Sequence, residues 1–314
     1  MITLSGLTKR YGTTTAVDGL TLDITAGQVT GFLGPNGAGK STTMRMIVGL
    51  DHPSGGEALI DGRPYAAIRH PLREVGALLD AKALHPARSA RSHLLAQAGT
   101  NGIPAKRVDE VLEAVGLAKV ARRRTGTFSL GMYQRLGVAG ALLGDPRVLL
   151  FDEPVNGLDP DGVRWVRELV RAQAAEGRTV FLSSHLMSEM QQTADRLVVI
   201  GKGRLLADRS MAEFLAAGSQ ASVRVHAPAP DDLRLLTGHL AARAGVHVDP
   251  VGDGVVLVKG AGIGEIGDLA HRLGVRLHEL TDVPATLEQA YMELTAESVE
   301  YGASEAAQGE KAGA

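Results

Sequence analysis

"GPNGAGKS", residues 34 to 41, lies between a short apolar run, "VTGFLG" at 29 to 34, and a stretch of helical character at 40 to 50. The eight residues match G-x-x-x-x-G-K-[ST], a pattern that carries meaning only between a strand and a helix, which is the setting read here. Gly34, Gly37 and Gly39 let the backbone wrap a phosphate chain without Cβ clashes, so that N–H groups point inward. Lys40 would place its ammonium between the β- and γ-phosphates, and Ser41 would offer a hydroxyl to Mg²⁺. The phosphate-binding set is thus Gly34, Asn36, Gly37, Gly39, Lys40, Ser41 and Thr42. A glycine-rich turn that binds nothing is the plain alternative, and the strand–loop–helix setting argues against it.

Two further stretches extend the chemistry. In "VLLFDEP", at 148 to 154, four apolar residues make a buried strand that ends in a pair of carboxylates. Asp152 is placed to hold Mg²⁺ through water. Glu153 can polarise a water lined up on the γ-phosphate, as general base or positioner. An acidic pair that merely caps a turn is the competing account of these two residues. In "FSLGMYQRL", at 128 to 136, the turn Ser129-Leu130-Gly131 opens a helix. A helix start of this kind is an anion site, because its N–H groups are free and its dipole is positive there. Ser129 could equally be an ordinary N-cap, and both can hold at once.

Bulk properties bound what surrounds these motifs. The chain has 314 residues, long enough for one large domain and a small one, with 44% apolar and 4% aromatic residues. A formal charge of −2 gives no overall field that would attract nucleic acid or an anionic membrane. The arginine run at 122 to 124 reads as a solvated face, and no nucleic-acid partner is expected. The absence of cysteine rules out disulfides and thiolate metal sites and suits a reducing compartment. The start, "MITLSGLTKRYG", lacks the apolar core of a signal peptide, and no apolar run is long enough for a bilayer. A cytoplasmic protein is expected, with any membrane role arising through a partner.

Short strands are expected over residues 1 to 33, including "LTLDI" at 20 to 24, and "PSGGEALIDGRP" at 53 to 64 reads as turn, strand, turn. Helical patterns fill about 86 to 145. Buried-strand runs return at "RVLLFDE" (147–153), "TVFLSSH" (179–185) and "RLVVIGKGRLLA" (196–207), with a helix at 160 to 175. This is an α/β core interrupted by a helical block. Beyond the loop near 217 to 221, "SVRVHA", "VHVDPV", "GVVLVKG" and "VRLHEL" read as strands and two intervening segments as helices. Their order, βαββαβ, is that of a ferredoxin-like unit. A last helix is expected at about 285 to 297, and the small, polar residues 298 to 314 read as disordered.

The order of these motifs, with "NGLDP" and "SSH" added, resembles the ATP-binding subunit of an ABC transporter over roughly the first 215 residues. The resemblance implies a P-loop NTPase core of α/β class with an inserted helical subdomain and an antiparallel β subdomain. Residues 1–217 would form it, 222–297 a small C-terminal α+β extension. "FSLGMYQR" is similar to the family signature LSGGQ, with Phe128, Leu130 and Met132 departing from it and Ser129, Gly131 and Gln134 remaining. In that family two subunits pack head to tail, so the signature of one covers the γ-phosphate held by the other. Ser129 and Gly131 would then face a partner's ATP; no lysine or Mg²⁺ ligand accompanies them, which argues against a second nucleotide. Tyr11 corresponds to the aromatic that stacks on adenine, or is a half-buried strand tyrosine. Asp159 matches the loop linking the two ATP sites, or caps the helix begun by Pro160. His185 falls where the family has a γ-phosphate sensor, though a lone histidine is more often structural. The family's lid glutamine, also near Mg²⁺, is replaced by Asp80 unless the register slips.

The resemblance also implies ATP and Mg²⁺ as cofactors, a second ATPase subunit in a homodimer, and a separate membrane permease touched by the loop around 80 to 90. The extension and the ending "TLEQAYMELT" resemble ATPases of multidrug, antibiotic and lantibiotic exporters, with export of a drug, antibiotic or lipid-like molecule implied. Two alternatives are a soluble ABC ATPase without a membrane partner and a non-ABC P-loop kinase or GTPase. The second predicts no role for Ser129 or His185.

Overall fold

The computed structural model describes residues 1–80, 83–218, 222–252, 254–283, 286–292 and 294. They form two compact units, Met1–Met211 and a second that begins at Ala212. The limit of 217 read from the sequence falls near the end of helix α7 (Met211–Gly218), six residues past this division.

The first unit is built on a six-stranded sheet in the order β5 (Val75–Leu78), β6 (Val148–Asp152), β7 (Thr179–Ser184), β3 (Val29–Leu33), β8 (Arg196–Gly201) and β9 (Arg204–Ser210). All neighbours are parallel except β8 and β9. Every residue of β3 and β7 is buried, as are the first four of β6. A parallel strand covered on both faces needs a continuous apolar run, and these sequences supply one. A three-stranded antiparallel sheet, β2 (Thr14–Ile24), β1 (Ile2–Tyr11) and β4 (Gly55–Ile60), packs against the same core. Phe32 of β3 and Phe181 of β7 meet there with ring centroids 4.9 Å apart, joined by Met44 and Ile47 of helix α1 (Lys40–Ile47). Burial of each such side chain contributes roughly 1.5–3 kcal/mol.

The block between β5 and β6 is helical: α2 (Ala90–Thr100), α3 (Ala105–Ala114) and α4 (Leu130–Leu142). Helix α5 (Pro160–Ala175) links β6 to β7, and α6 (Met187–Thr193) follows β7. The strand run read at 196 to 207 is two strands rather than one. It breaks at Lys202 and Gly203, both at positive φ (50° and 82°), the conformation of a two-residue hairpin turn.

The second unit contains β10 (Ser222–His226), α8 (Pro230–Ala241), β11 (His247–Gly252), β12 (Val255–Lys259), α9 (Ile263–Leu273) and β13 (Glu279–Val283). The sheet order β11-β12-β10-β13, antiparallel throughout, is the ferredoxin-like arrangement. Its last strand is displaced from the stretch "VRLHEL". Gly274 ends α9 in the left-handed conformation, and Val275 donates back to the Ala270 carbonyl. Only after the His278 N–H reaches the His226 carbonyl does the chain run along β10. Residues 287–292 are helical; the rest of the expected last helix and the tail 298–314 lie largely outside the described residues.

Candidate functional site

The strand–loop–helix around residues 34–41 forms as the motif requires. Helix α1 starts at Lys40, and its N-cap, Gly39, has φ 105°. A Cβ on Gly39 would lie 2.5 Å from the Ala16 carbonyl oxygen, so neither the conformation nor the space admits a side chain. The Lys40 ammonium, 7% exposed, donates to the carbonyls of Gly34 (2.7 Å) and Pro35 (3.2 Å). Burial lowers its pKa from the ordinary lysine value, while the Glu153 and Asp152 carboxylates draw it back up. A buried ammonium held by the carbonyls of a glycine-rich loop, with two acids in electrostatic reach, fits a site for a phosphate chain.

Asp152 ends β6, and Glu153 follows in the left-handed region at φ 50°. That conformation is costly for a residue with a side chain and is held here by neighbours. The Glu153 N–H donates to the Ser183 hydroxyl at 3.0 Å, and the same hydroxyl donates to Asp152 Oδ1. His185, just beyond β7, brings Nδ1 within 2.7 Å of Glu153 Oε2. Strands β6 and β7 therefore deliver both carboxylates and the imidazole to one edge of the sheet, beside Lys40.

Ser41 and Asp152 line one cavity of about 690 Å³ together with Asp80, which stands two residues beyond the end of β5. Leu78 pairs with Phe151, so β5 and β6 finish at the same sheet edge, and that register brings Asp80 to the wall shared with Ser41 and Asp152. Among the described residues no group of three or more His, Cys, Asp or Glu could hold a metal. One hydroxyl and one or two carboxylates are instead the sparse set that suits Mg²⁺ shared with phosphates and water.

Tyr11 ends β1 with half of its surface exposed, a position compatible both with a half-buried strand tyrosine and with an aromatic face open to a base. Its hydroxyl donates to Asp51 Oδ2 at 3.2 Å, and the Lys9 ammonium sits 5.0 Å from the ring centroid. A flat base stacking there would use the other face or displace Lys9. Asn36 and Gly37 are exposed at the tip of the loop.

Ser129 and Asp159 are both N-caps: Ser129 Oγ accepts from Met132 N at 3.3 Å, and Asp159 Oδ1 accepts from Gly162 N at 2.8 Å. Both residues are exposed, so capping leaves their turns accessible. The start of α4 rests on the loop ahead of α5. Gln134 Nε2 donates to the Asn156 carbonyl at 3.4 Å. Leu130, which replaces a family glycine, packs so closely over Gly157 that a Cβ there would lie 2.1 Å from Leu130 Cδ2. Gly131 faces Leu158.

Ser183, Asp51 and Gly157 take on their roles only through contacts made in the fold. The hydroxyl pair of "TVFLSSH", polar at the end of an otherwise apolar strand, was the available signal for Ser183.

Residues 17–156 match the family model described as ABC transporter. The bacitracin transport ATP-binding protein BcrA of Bacillus licheniformis is 43% identical over 209 residues, spanning 66% of this chain and 68% of that protein. The chain belongs to the ABC transporter ATP-binding proteins. Another relative in this family, the lantibiotic transport ATP-binding protein SrtF of Streptococcus pyogenes, is 35% identical over 67% of this chain and 90% of its own length. Among solved structures, cbiO1 from Clostridium perfringens, part of the ABC transporter complex cbiONQ, aligns with TM-score 0.60 and 30% identity over 68% of this chain and 90% of that one. A structure described as an ATP-binding subunit of an ABC transporter shares the fold at TM-score 0.62 and 23% identity, over 86% of this chain and 99% of that one. Residues 221–288 match a domain of unknown function, DUF8746. The ABC cassette binds and hydrolyses ATP as the energising subunit of a transporter. No described helix is long and apolar enough to cross a membrane.

Proposed function

We propose that this ATPase energises export of an antibiotic, drug or lipid-like molecule through a separate membrane permease, which holds it at the inner face of the cell membrane. The names of the bacitracin and lantibiotic relatives support the substrate class. The observation that carries the nucleotide site is the buried Lys40 ammonium in its glycine cradle beside Asp152 and Glu153.

In this reading the N–H groups of the loop from Gly34 to Thr42 bind the phosphates, Lys40 neutralises the β/γ pair, and Tyr11 takes the adenine. Ser41 and Asp152, with Asp80 on the same cavity wall, would hold Mg²⁺, which when bound supplies positive charge against the developing phosphate oxyanion. Glu153 orients the attacking water and can accept its proton at Oε. His185 Nδ1, in contact with Glu153 Oε2, keeps that carboxylate in place, and the imidazole would sense the γ-phosphate through its other ring nitrogen. Ser129 and Gly131 cover the phosphate of a second, identical subunit, and Asp159 lies in the loop between the two sites. Loop 80–90, beside the cavity lined by Leu84 and His93, is the surface offered to the permease.

Glu153→Gln tests the assignment. The variant should bind ATP, elute as a nucleotide-dependent dimer on size exclusion, and turn over at least about a hundredfold more slowly. Loss of ATP binding instead would make Glu153 a structural residue.

A further inference from the structure

We propose that Ser183 is a positioning residue for ATP hydrolysis, joining Asp152 and Glu153 into one unit through its hydroxyl. Ser183 is fully buried (0% exposed), directly after the apolar run Val180, Phe181 and Leu182 of β7. A buried hydroxyl is costly unless both its donor and acceptor capacities are used. Here both are used on the reaction site: it accepts the Glu153 N–H at 3.0 Å and donates to Asp152 Oδ1. The register of β6 and β7, which pairs Asp152 with Ser183, sets the hydroxyl between them.

Two consequences follow from these bonds. With Oδ1 engaged by the Ser183 proton, the Asp152 carboxylate is held in one orientation at the end of β6. The Glu153 backbone, at φ 50°, is pinned by an acceptor that does not belong to its own strand. His185, two residues on, then meets the carboxylate of the same Glu153 at 2.7 Å. The end of β7 thus grips the end of β6 at three atoms. The inference rests on the reading of Asp152 as the metal-side carboxylate and Glu153 as the water-positioning one.

The test compares Ser183→Ala with Ser183→Thr, which keeps the hydroxyl. Asp152→Asn and Glu153→Gln serve as controls. Turnover, KM for ATP, melting temperature, and binding of a fluorescent ATP analogue are measured, the last against increasing Mn²⁺ and in EDTA. Ser183→Ala should lower kcat about tenfold or more with KM within about twofold, the pattern of lost transition-state positioning. It should also raise several-fold the Mn²⁺ needed for half-maximal tightening of the analogue, with binding in EDTA unchanged. Ser183→Thr should recover both. If folded Ser183→Ala protein keeps wild-type kcat and Mn²⁺ dependence and loses only melting temperature, the hydroxyl is structural and the proposal falls. The same holds if Ser183→Thr shows no recovery although it melts like the wild type. If Asp152→Asn and Glu153→Gln themselves leave hydrolysis intact, the underlying assignment fails, a result separable from the first two.

Discussion

Replacing Glu153 by glycine should give a more stable protein than replacing it by alanine, although both lose hydrolysis. Glu153 sits at φ 50°, where a Cβ crowds the following carbonyl. That crowding costs a non-glycine residue about 1–2 kcal/mol. Glycine escapes it but loosens the unfolded chain by about 0.4–1 kcal/mol, leaving a net advantage over alanine of roughly 0.5–1 kcal/mol. Both variants forfeit the 2.7 Å contact to His185, whose side chain is 44% exposed. A polar contact so open to solvent contributes at most about 1 kcal/mol and cancels in the comparison. For a unit of this size the difference corresponds to a melting-point gap of about 1–4 °C. Nucleotide-free thermal melts and urea midpoints of the two variants side by side would measure it. If the glycine variant melts at or below the alanine variant, the backbone at 153 is not held in a strained state, and the account of how β7 shapes the site is wrong.

Other outcomes are expected along the same lines. Lys40→Met should abolish ATP binding and turnover while shifting the nucleotide-free melting temperature by no more than about 2 °C. The buried ammonium trades its two carbonyl bonds against desolvation, and a thioether of similar length fills the space; a larger drop in a melting scan would show that the ammonium holds the fold. Gly157→Ala should destabilise the first unit by about 1–2 kcal/mol or more, since residue 157 has φ 73° and the new Cβ would strike Leu130. Adding Leu130→Ala should return part of that loss in urea unfolding. Strict additivity of the two changes would contradict the contact.

The core was legible because its strands are covered on both faces: "VTGFL", "VLLF" and "TVFLSS" are unbroken burial signals that polar alternation would have blurred. "VGAL" at 75–78, only four residues long, carried no such weight and emerged only by pairing with β6. Lys202 hid the hairpin between β8 and β9, since a lysine at positive φ is not a turn signal by composition. In the second unit the strand read at "VRLHEL" slid because the close of α9 consumes its first residues. At the site, residues whose role lies in local chain geometry, such as Lys40 in its loop and Asp159 at its helix start, could be read in line. Ser183 and the Asp51 partner of Tyr11 act across distances of 30 and 40 residues along the chain, and only the folded register discloses them.

The seating of the α4 start on the segment after Glu153 has a consequence for anyone recombining this cassette with a relative. Leu130 tolerates only a bare backbone beneath it, and Gln134 hangs from a main-chain carbonyl of the same segment. Residues 129–134 and 153–159 therefore behave as one heritable part. A chimaera that imports either half alone would bring a mismatched surface into the junction, whereas exchanging both together should transplant cleanly.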